Sequence, residues 1–308
     1  MKGWILFDYQ DETLKNEQGE IKRFLETAKK NDIEIKIFEP QQFDLMVTRE
    51  PHNSILIDDK QTLLPDFFLP RTGASTTYYS LAIIRHMERM GVPTFNSAQS
   101  IETVKDKLFT QQILASSNLP IPRTLLVKYP INADMVEENL GFPVIVKTLS
   151  GAQGSGVYLS KNKDEFIRLM QLINATKTNM NIIIQEFIQS SEGRDLRVIV
   201  IGGRAIGAMQ RIAQEGEFRA NISKGGQGKS FTMNSEIEWL AIESANILSL
   251  DVAGIDLLFD GNHFRICEAN SSPGFTGFEK CCKIDIPSEI FNFISVRLGF
   301  FEKYRSIK

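Results

Sequence analysis

The 308-residue sequence predicts a mixed α/β and α+β protein of two or three packed units. Three observations carry that prediction. Residues 1–96 alternate short β-type runs with helix-patterned polar segments, the order that builds a small parallel sheet. Farther along, apolar runs follow one another through tight turn pairs, Gly202-Gly203 and Asp260-Gly261-Asn262, as antiparallel hairpins do. With 42% apolar and 24% charged residues the chain has enough hydrophobic matter for an ordinary core, which excludes disorder.

The elements follow in order. Runs 4–7, 33–38, 54–57 and 67–69 read as strands. Ile21, Phe24, Leu25 and Ala28 recur at helical spacing, as do Tyr79, Ile83, Met87 and Met90, and Asn96-Ser97-Ala98 marks a turn-rich break. Near Lys105 a new helical pattern begins, and Pro120, Pro122 and Pro130 then interrupt regular structure as loop or edge positions. A strand at 143–147, a glycine-rich loop at 151–156, a helix to about Ile173 and a strand at 182–185 come next. Strands 196–201 and 205–209 form a hairpin, and the polar stretch 211–229 reads as a long functional loop. Ile237, Leu240, Ala241, Ala245 and Leu248 share one helix face, strands 252–259 and 263–268 make a second hairpin, and a last helix spans 288–298.

The formal net charge is −3, which argues against nucleic acid as the main partner. The longest apolar runs, such as 4–7 and 182–184, fall far short of the ~18 residues a membrane span needs. The apolar stretch after Met1 is also too short for a secretory signal, so a cytoplasmic protein with no membrane partner is expected. Cys267, Cys281 and Cys282 are too few and too unevenly spaced for a disulfide framework or a zinc site. His52, His86 and His263 have no metal-ligand spacing, and no Ser/His/Asp or Cys/His pairing stands out.

Oxygen chemistry is more promising. Strand side chains alternate faces, so Glu268 and Asn270 point the same way, and a facing strand would bring Asp256 beside them. Mg²⁺ takes such carboxylate and carbonyl ligands, with substrate phosphates completing its octahedron; the same residues would also suit a sheet face turned to water. Gly151, Gly154, Ser155 and Gly156 follow a strand and would let backbone N–H groups approach a phosphate, although a plain glycine turn reads the same way. Lys147, at the end of that strand, needs solvent or an anion. At the end of another buried strand, Gln185, Glu186, Phe187 and Ile188 could receive a planar base. Asp195 suits ribose hydroxyls or an ion pair with Arg194 or Arg197. Arg211, Arg219, Asn221 and Lys224 suit developing negative charge, and Arg71-Thr72-Gly73 and Lys280 suit carboxylates.

Taken in chain order, these segments resemble the ATP-grasp superfamily and, within it, the RimK-like glutamate ligases. The resemblance rests on Pro70-Arg71-Thr72-Gly73, Asp106-Lys107-Leu108, Val146-Lys147 with the glycine loop, Gln185-Glu186-Phe187-Ile188 and Gly193-Arg194-Asp195-Leu196-Arg197. It continues through Glu217-Phe218-Arg219-Ala220-Asn221, Gly254-Ile255-Asp256-Leu257, Glu268-Ala269-Asn270-Ser271-Ser272-Pro273-Gly274-Phe275, Gly277-Phe278-Glu279-Lys280 and Ile284-Asp285-Ile286, spanning nearly the whole chain. Ser271-Ser272 and Cys281-Cys282 depart from the family pattern without touching a ligand position.

The resemblance implies a pre-ATP-grasp α/β domain at 1–96 and two α+β lobes, 97–188 and 189–308, that clamp ATP. It implies that Lys107 and Lys147 contact phosphates, that residues 151–156 close over them, that Gln185 to Ile188 hold adenine and that Asp195 holds ribose. Asp256, Glu268 and Asn270 would bind Mg²⁺ or Mn²⁺, and Arg219 and Asn221 would face the γ-phosphate and the reacting carboxylate. Arg211 would join them in a charged cleft with Lys280. The implied reaction makes an acyl phosphate from an acceptor carboxylate (a protein C-terminus, a coenzyme or a small acid) and joins it to the amine of L-glutamate, in a homo-oligomer. A nucleotide-clamping regulatory protein without turnover stays open as a second reading.

Overall fold

In the computed structural model, which describes residues 1–9, 18–49, 54–73, 76–148, 156–175, 181–220 and 225–300, the chain begins with β1 (Lys2–Leu6), α1 (Gln18–Lys30), β2 (Glu34–Phe38), β3 (Phe43–Leu45), β4 (Ile55–Ile57), β5 (Lys60–Gln61), β6 (Phe67–Pro70) and α2 (Tyr78–Arg89). β1 pairs in parallel with β2 on one side and β6 on the other. Ile21, Phe24 and Ala28 of α1 pack with Ile5, Phe67 and Leu69, whereas Leu81, Ile83, Ile84 and Met87 of α2 pack with Trp4, Leu6 and Phe68. The two helices therefore cover opposite faces, as a parallel sheet requires. The expected strand at 54–57 forms outside this sheet. β4 sits in an antiparallel sheet of order β3-β4-β5. Asp58 and Asp59, with φ of 49° and 63°, make the two-residue turn that sends the chain back.

The middle of the chain carries α3 (Ala98–Lys105), α4 (Lys107–Ser116), β7 (Thr124–Val127), α5 (Ala133–Leu140), β8 (Val144–Thr148), β9 (Val157–Ser160), α6 (Lys163–Ala175) and β10 (Ile182–Glu186). The strands form an antiparallel sheet of order β7-β10-β8-β9. Val144, Val146, Ile182 and Ile184 bury one face under Val136 of α5 and Phe166 and Met170 of α6. By alternation Ile145, Lys147, Ile183 and Gln185 occupy the other face. β7 and α5 interrupt what the prolines suggested was irregular chain. β7 is an edge strand lying between Pro122 and Pro130, a place where proline is tolerated, and Asn132 caps α5 by accepting from the amides of Asp134 and Met135.

The last part holds β11 (Arg194–Ile201), β12 (Arg204–Ile212), β13 (Gln227–Phe231), α7 (Ser235–Ile247), β14 (Val252–Asp260), β15 (His263–Asn270), α8 (Thr276–Cys282) and α9 (Ile286–Arg297). Its antiparallel sheet runs β13-β12-β11-β14-β15. The ends of the expected long loop 211–229 are strand: β12 reaches Ile212 and β13 pairs back along it. β13 hid from the hydrophobic pattern because it is an edge strand with largely solvated side chains. One sheet face, with Leu196, Val198, Ile255, Leu257, Phe264 and Ile266, lies under Ile237, Leu240, Ala241 and Ala245 of α7. The other face is split. Ile199, Ile201, Met209 and Val252 join the core of α1 and α9, while Asp195, Arg197, Arg211 and Asp256 occupy the other end of the face. A β-bulge between Asp256 and Leu257 leaves Cys267 without a register partner and sets Glu268 opposite Asp256.

Candidate active site

Lys147 projects from β8 across to β15. Its ammonium donates to Gln185 Oε1 at 2.6 Å and lies 3.9 Å from Cys267 Sγ, so one side chain spans the two larger sheets. Gln185 is fixed in turn, donating to Thr124 Oγ1 at 2.9 Å. From α4, whose first turn is capped by Asp106, Gln111 donates to the Cys267 carbonyl at 2.9 Å. Lys107, one turn earlier on that helix, lies within electrostatic reach of Glu268, Lys147 and Cys267. Burial pulls the Lys107 ammonium below its ordinary value, with Glu268 opposing that shift and Lys147 adding to it. Burial also pushes the Cys267 thiol up to about 11, against the pull of Lys147.

Asp256 is the most enclosed member of the group, 1% exposed. Arg197, its partner across β11, donates Nε to Oδ1 at 2.7 Å and Nη2 to Oδ2 at 2.6 Å, and Arg211 Nη2 adds a third bond to Oδ2 at 2.8 Å. The two guanidinium groups hold this carboxyl well below the usual carboxylate range, overcoming the opposing effect of burial. Arg211 also forks onto Asp195, at 2.6 and 2.7 Å, directly across the β11–β12 ladder. Burial outweighs that pairing and raises the Asp195 carboxyl.

Asn270 stands opposite Gly254 and donates its amide nitrogen to the Gly254 carbonyl at 3.3 Å, leaving its side-chain oxygen as an acceptor. Asp256, Glu268 and Asn270 thus share one sheet face, as strand alternation suggested. Among the described residues no three His, Cys, Asp or Glu side chains gather as a metal cluster. Two carboxylates and one amide are instead the sparse oxygen set that fits Mg²⁺ when phosphates supply the remaining ligands.

Other expected residues lie elsewhere. Glu186 points to the opposite face of β10 from Gln185, and its carboxylate is gripped by Arg123 and Arg265. With Phe187 and Ile188 it lines an open cleft of about 540 Å³ at the junction of the two sheets. Arg219 is paired with Glu217. Lys280 is exposed on α8, and Arg71 is buried with Glu20, so the carboxylate it meets belongs to its own chain. Gly156 ends the glycine loop at φ +77°, where a Cβ would come within 2.2 Å of Thr148 Oγ1. Gly151, Gly154, Ser155, Asn221 and Lys224 lie outside the described residues.

The RimK-like ATP-grasp domain pattern matches residues 104–294, and the RimK PreATP-grasp pattern matches residues 13–101. The chain belongs to the RimK-like ATP-grasp family. A probable alpha-L-glutamate ligase of Rhodopirellula baltica is 35% identical over 91% of this chain and 69% of its own length. A protein of the same description from Haemophilus influenzae is 34% identical over 89% of this chain and 92% of its own. Among solved structures, the ATP-grasp ligase PsnB in complex with its minimal precursor has a TM-score of 0.74 at 20% identity, covering 96% of this chain and 98% of that one. D-alanine–D-alanine ligase from Bacillus anthracis complexed with ATP has a TM-score of 0.70 at 17% identity, covering 97% and 99%. This RimK-like chain therefore has the ATP-grasp fold and is an ATP-dependent ligase.

Several residues of this RimK-like cleft escaped the sequence reading as site members. In sequence Arg197 reads as a partner for Asp195, yet it lies two positions along the same strand face and pairs with Asp256 instead. Gln111 and Cys267 had no signal beyond their positions, one turn from Lys107 and next to Glu268. Among the described residues no helix is long and apolar enough to cross a membrane.

Proposed function

We propose that this ligase joins the amine of L-glutamate to an acceptor carboxylate by way of an acyl phosphate, releasing ADP and phosphate. The observation that carries the reading is the convergence of Lys147 and Lys107 with Glu268 and Asp256, which brings cations from one sheet and one helix to oxygen ligands on the other sheet. The relatives described as probable alpha-L-glutamate ligases support glutamate as the added amino acid.

A carboxylate resists an amine because oxide is a poor leaving group, so the acid must first accept the γ-phosphoryl group. In this reading Lys107 and Lys147 orient the phosphates, with residues 151–156 closing over them. Gln185 to Ile188 receive adenine and Asp195 receives ribose, with the Arg211 fork aligning its carboxylate. Asp256, Glu268 and Asn270 hold Mg²⁺ or Mn²⁺, which supplies charge neutralisation on the phosphates when bound. Arg219 and Asn221 face the transferring phosphoryl group, and Arg219 then stabilises the tetrahedral oxyanion formed when the amine attacks. Closure of segment 97–188 on 189–308, with 1–96 alongside, excludes water from the acyl phosphate.

The acceptor is a protein C-terminus, a coenzyme or a small acid. The reading includes a cytoplasmic homo-oligomer; the three free cysteines, two of them adjacent, favour a reducing compartment. The test is mass spectrometry of a cell extract incubated with the protein, ATP, Mg²⁺ and isotopically labelled glutamate. A product heavier by one or more glutamate residues is expected. ADP release without labelled amide across a broad panel of acids would sink the proposal.

A further inference from the structure

Asn270 ends β15, and the segment after it, 271–276, runs into the first residue of α8. Three buried side chains from the N-terminal part of the chain seize this segment by its backbone. Asn96, 1% exposed, donates its amide nitrogen to the carbonyls of Ser271 and Val252, both at 2.7 Å. The same amide accepts, through its oxygen, from the backbone of Asp251 and Val252 at 2.6 and 2.9 Å. Arg71 donates Nη2 to the Pro273 carbonyl at 3.0 Å and to Glu20 Oε2 at 2.9 Å. Glu20 Oε1 in turn accepts from the amides of Phe275 and Thr276 at 2.6 and 3.0 Å and from the Thr276 hydroxyl at 3.2 Å.

The aromatic rings of Phe24 and Phe275 flank the Arg71 guanidinium at 5.8 and 5.6 Å. Pro273 is pressed against β14, where a Cβ on Gly254 would fall 2.6 Å from Pro273 Cβ. Gly254 is the register partner of Asn270.

Docking of the N-terminal sheet onto the rest does not need these bonds. α1 and β6 already pack on α9 through Phe24, Phe67 and Phe291 in a shared apolar core. A buried Arg–Glu pair is a poor source of stability, because desolvation offsets most of its attraction. The specificity lies in its address: the hydrogen bonds converge on the backbone that immediately follows Asn270.

We propose that Glu20, Arg71 and Asn96 are positioning residues that hold Asn270 in place against Asp256 and Glu268, so that the N-terminal part of the chain sets the affinity for the divalent ion. The inference rests on the reading of Asp256, Glu268 and Asn270 as the metal ligands. Partners that orient a ligand commonly matter by roughly 10- to 100-fold in metal affinity.

The full-length protein with ADP is titrated with Mn²⁺, and the free aquo ion is followed by electron paramagnetic resonance. Glu20→Gln and Asn96→Ala, checked for folding by thermal melts, are expected to weaken Mn²⁺ binding roughly 10- to 100-fold. Their affinity for ADP without metal should stay at the wild-type value, which a general loss of structure would not allow. Wild-type Mn²⁺ affinity in folded Glu20→Gln, alongside weakened binding in Asn270→Ala, would overturn the inference while leaving the ligand reading intact. Undiminished Mn²⁺ binding in Asn270→Ala would overturn the ligand reading itself, and the inference with it.

Hydrogen exchange on the wild-type protein gives a check that needs no variant. The first amides of a helix have no intrahelical acceptor, so slow exchange at the amide of Thr276, an exposed residue, is expected only if Glu20 grips it. Exchange there as fast as in an exposed loop would overturn the inference.

Discussion

Arg219 lies folded back on Glu217, with Nε 3.0 Å from Oε1 and Nη2 2.7 Å from Oε2. The guanidinium proposed to face the phosphoryl group is thus already neutralised by a residue two positions away, and substrate must compete with that carboxylate. Glu217→Gln is expected to tighten ATP binding about two- to fivefold, the range of a partly exposed ion pair. Arg219→Ala should lower kcat by about 10²–10³. Equilibrium binding and ADP-release kinetics check both, and weaker ATP binding in Glu217→Gln would show that Glu217 orients the arginine instead.

The same pair makes a pH prediction. Hydrogen bonding to Arg219 lowers the Glu217 carboxyl to about 2, below its ordinary 4.5. Because the folded value is depressed, the pair's contribution is complete above about 4.5 and is lost as pH falls through about 2. A carboxyl-carbon NMR titration should find Glu217 titrating near 2, and in Arg219→Gln its midpoint should move up towards 4.5.

Asp256 and Glu268 face each other but should respond differently to removal. Asp256→Ala strips both Arg197 and Arg211 of a buried partner, which typically costs about 3–5 kcal/mol. Glu268→Gln abolishes turnover in the proposed reading while leaving both arginines paired. Urea melts with parallel ADP-release assays should show the first variant unstable and inactive, the second inactive at near-native stability.

Lys107 carries a lowered ammonium pKa because it is buried, so it releases its proton earlier than an exposed lysine at 10.5. The folded chain then binds fewer protons than the unfolded one just below that value, and Lys107 destabilises the fold least at alkaline pH. Bound triphosphate restores the charge, so ATP binding should take up protons in the alkaline range. Calorimetry in buffers of different ionisation enthalpy measures that uptake, which Lys107→Met should abolish.

Gly254→Ala tests how closely 271–276 sits on β14. The new Cβ would fall 2.6 Å from Pro273 Cβ, a contact that forces Pro273 away. Such overpacking usually costs about 1–3 kcal/mol, and activity should fall further than stability because the displaced segment adjoins Asn270. A melt together with an activity assay separates the two effects.

Hydrophobic periodicity exposed most of the central framework. The hairpins through Gly202-Gly203 and Asp260-Gly261-Asn262, the helix face of Ile237, Leu240 and Ala241, and the strand Ile182 to Glu186 are buried on one or both faces, so their patterns are strong. Elements with little buried area gave little signal. β7 shows half-buried and exposed side chains between prolines, β13 is a solvated edge, and α8 has one buried residue, Phe278.

At the site, the alternation argument brought Asp256, Glu268 and Asn270 to one face. Charge pairing was less legible. Nothing in the sequence order distinguishes Arg197 on Asp256 from Arg197 on Asp195, because the choice is made by cross-strand register. Likewise Arg71 reads in sequence as a binder of external carboxylate, since its partner Glu20 lies 51 positions away.

Cys267, the unmatched residue of β15, acts as a parity switch. Ile266 and Ala269 both lie in the α7 core although three positions separate them, an odd step that uninterrupted alternation forbids. If the same residues alternated straight through Cys267 with no bulge, Glu268 and Asn270 would fall on the core side with Phe264 and Ile266, and the thiol itself would take the place opposite Asp256. Deletion of Cys267 would straighten the strand and leave Ile266 on the core face and Glu268 opposite Asp256, whereas a register that lost the bulge with every residue kept would send two charged or polar side chains into hydrocarbon. The face proposed to hold the metal thus depends on where the one odd residue is taken up, and a slip of the bulge would dismantle that face without removing any of its residues.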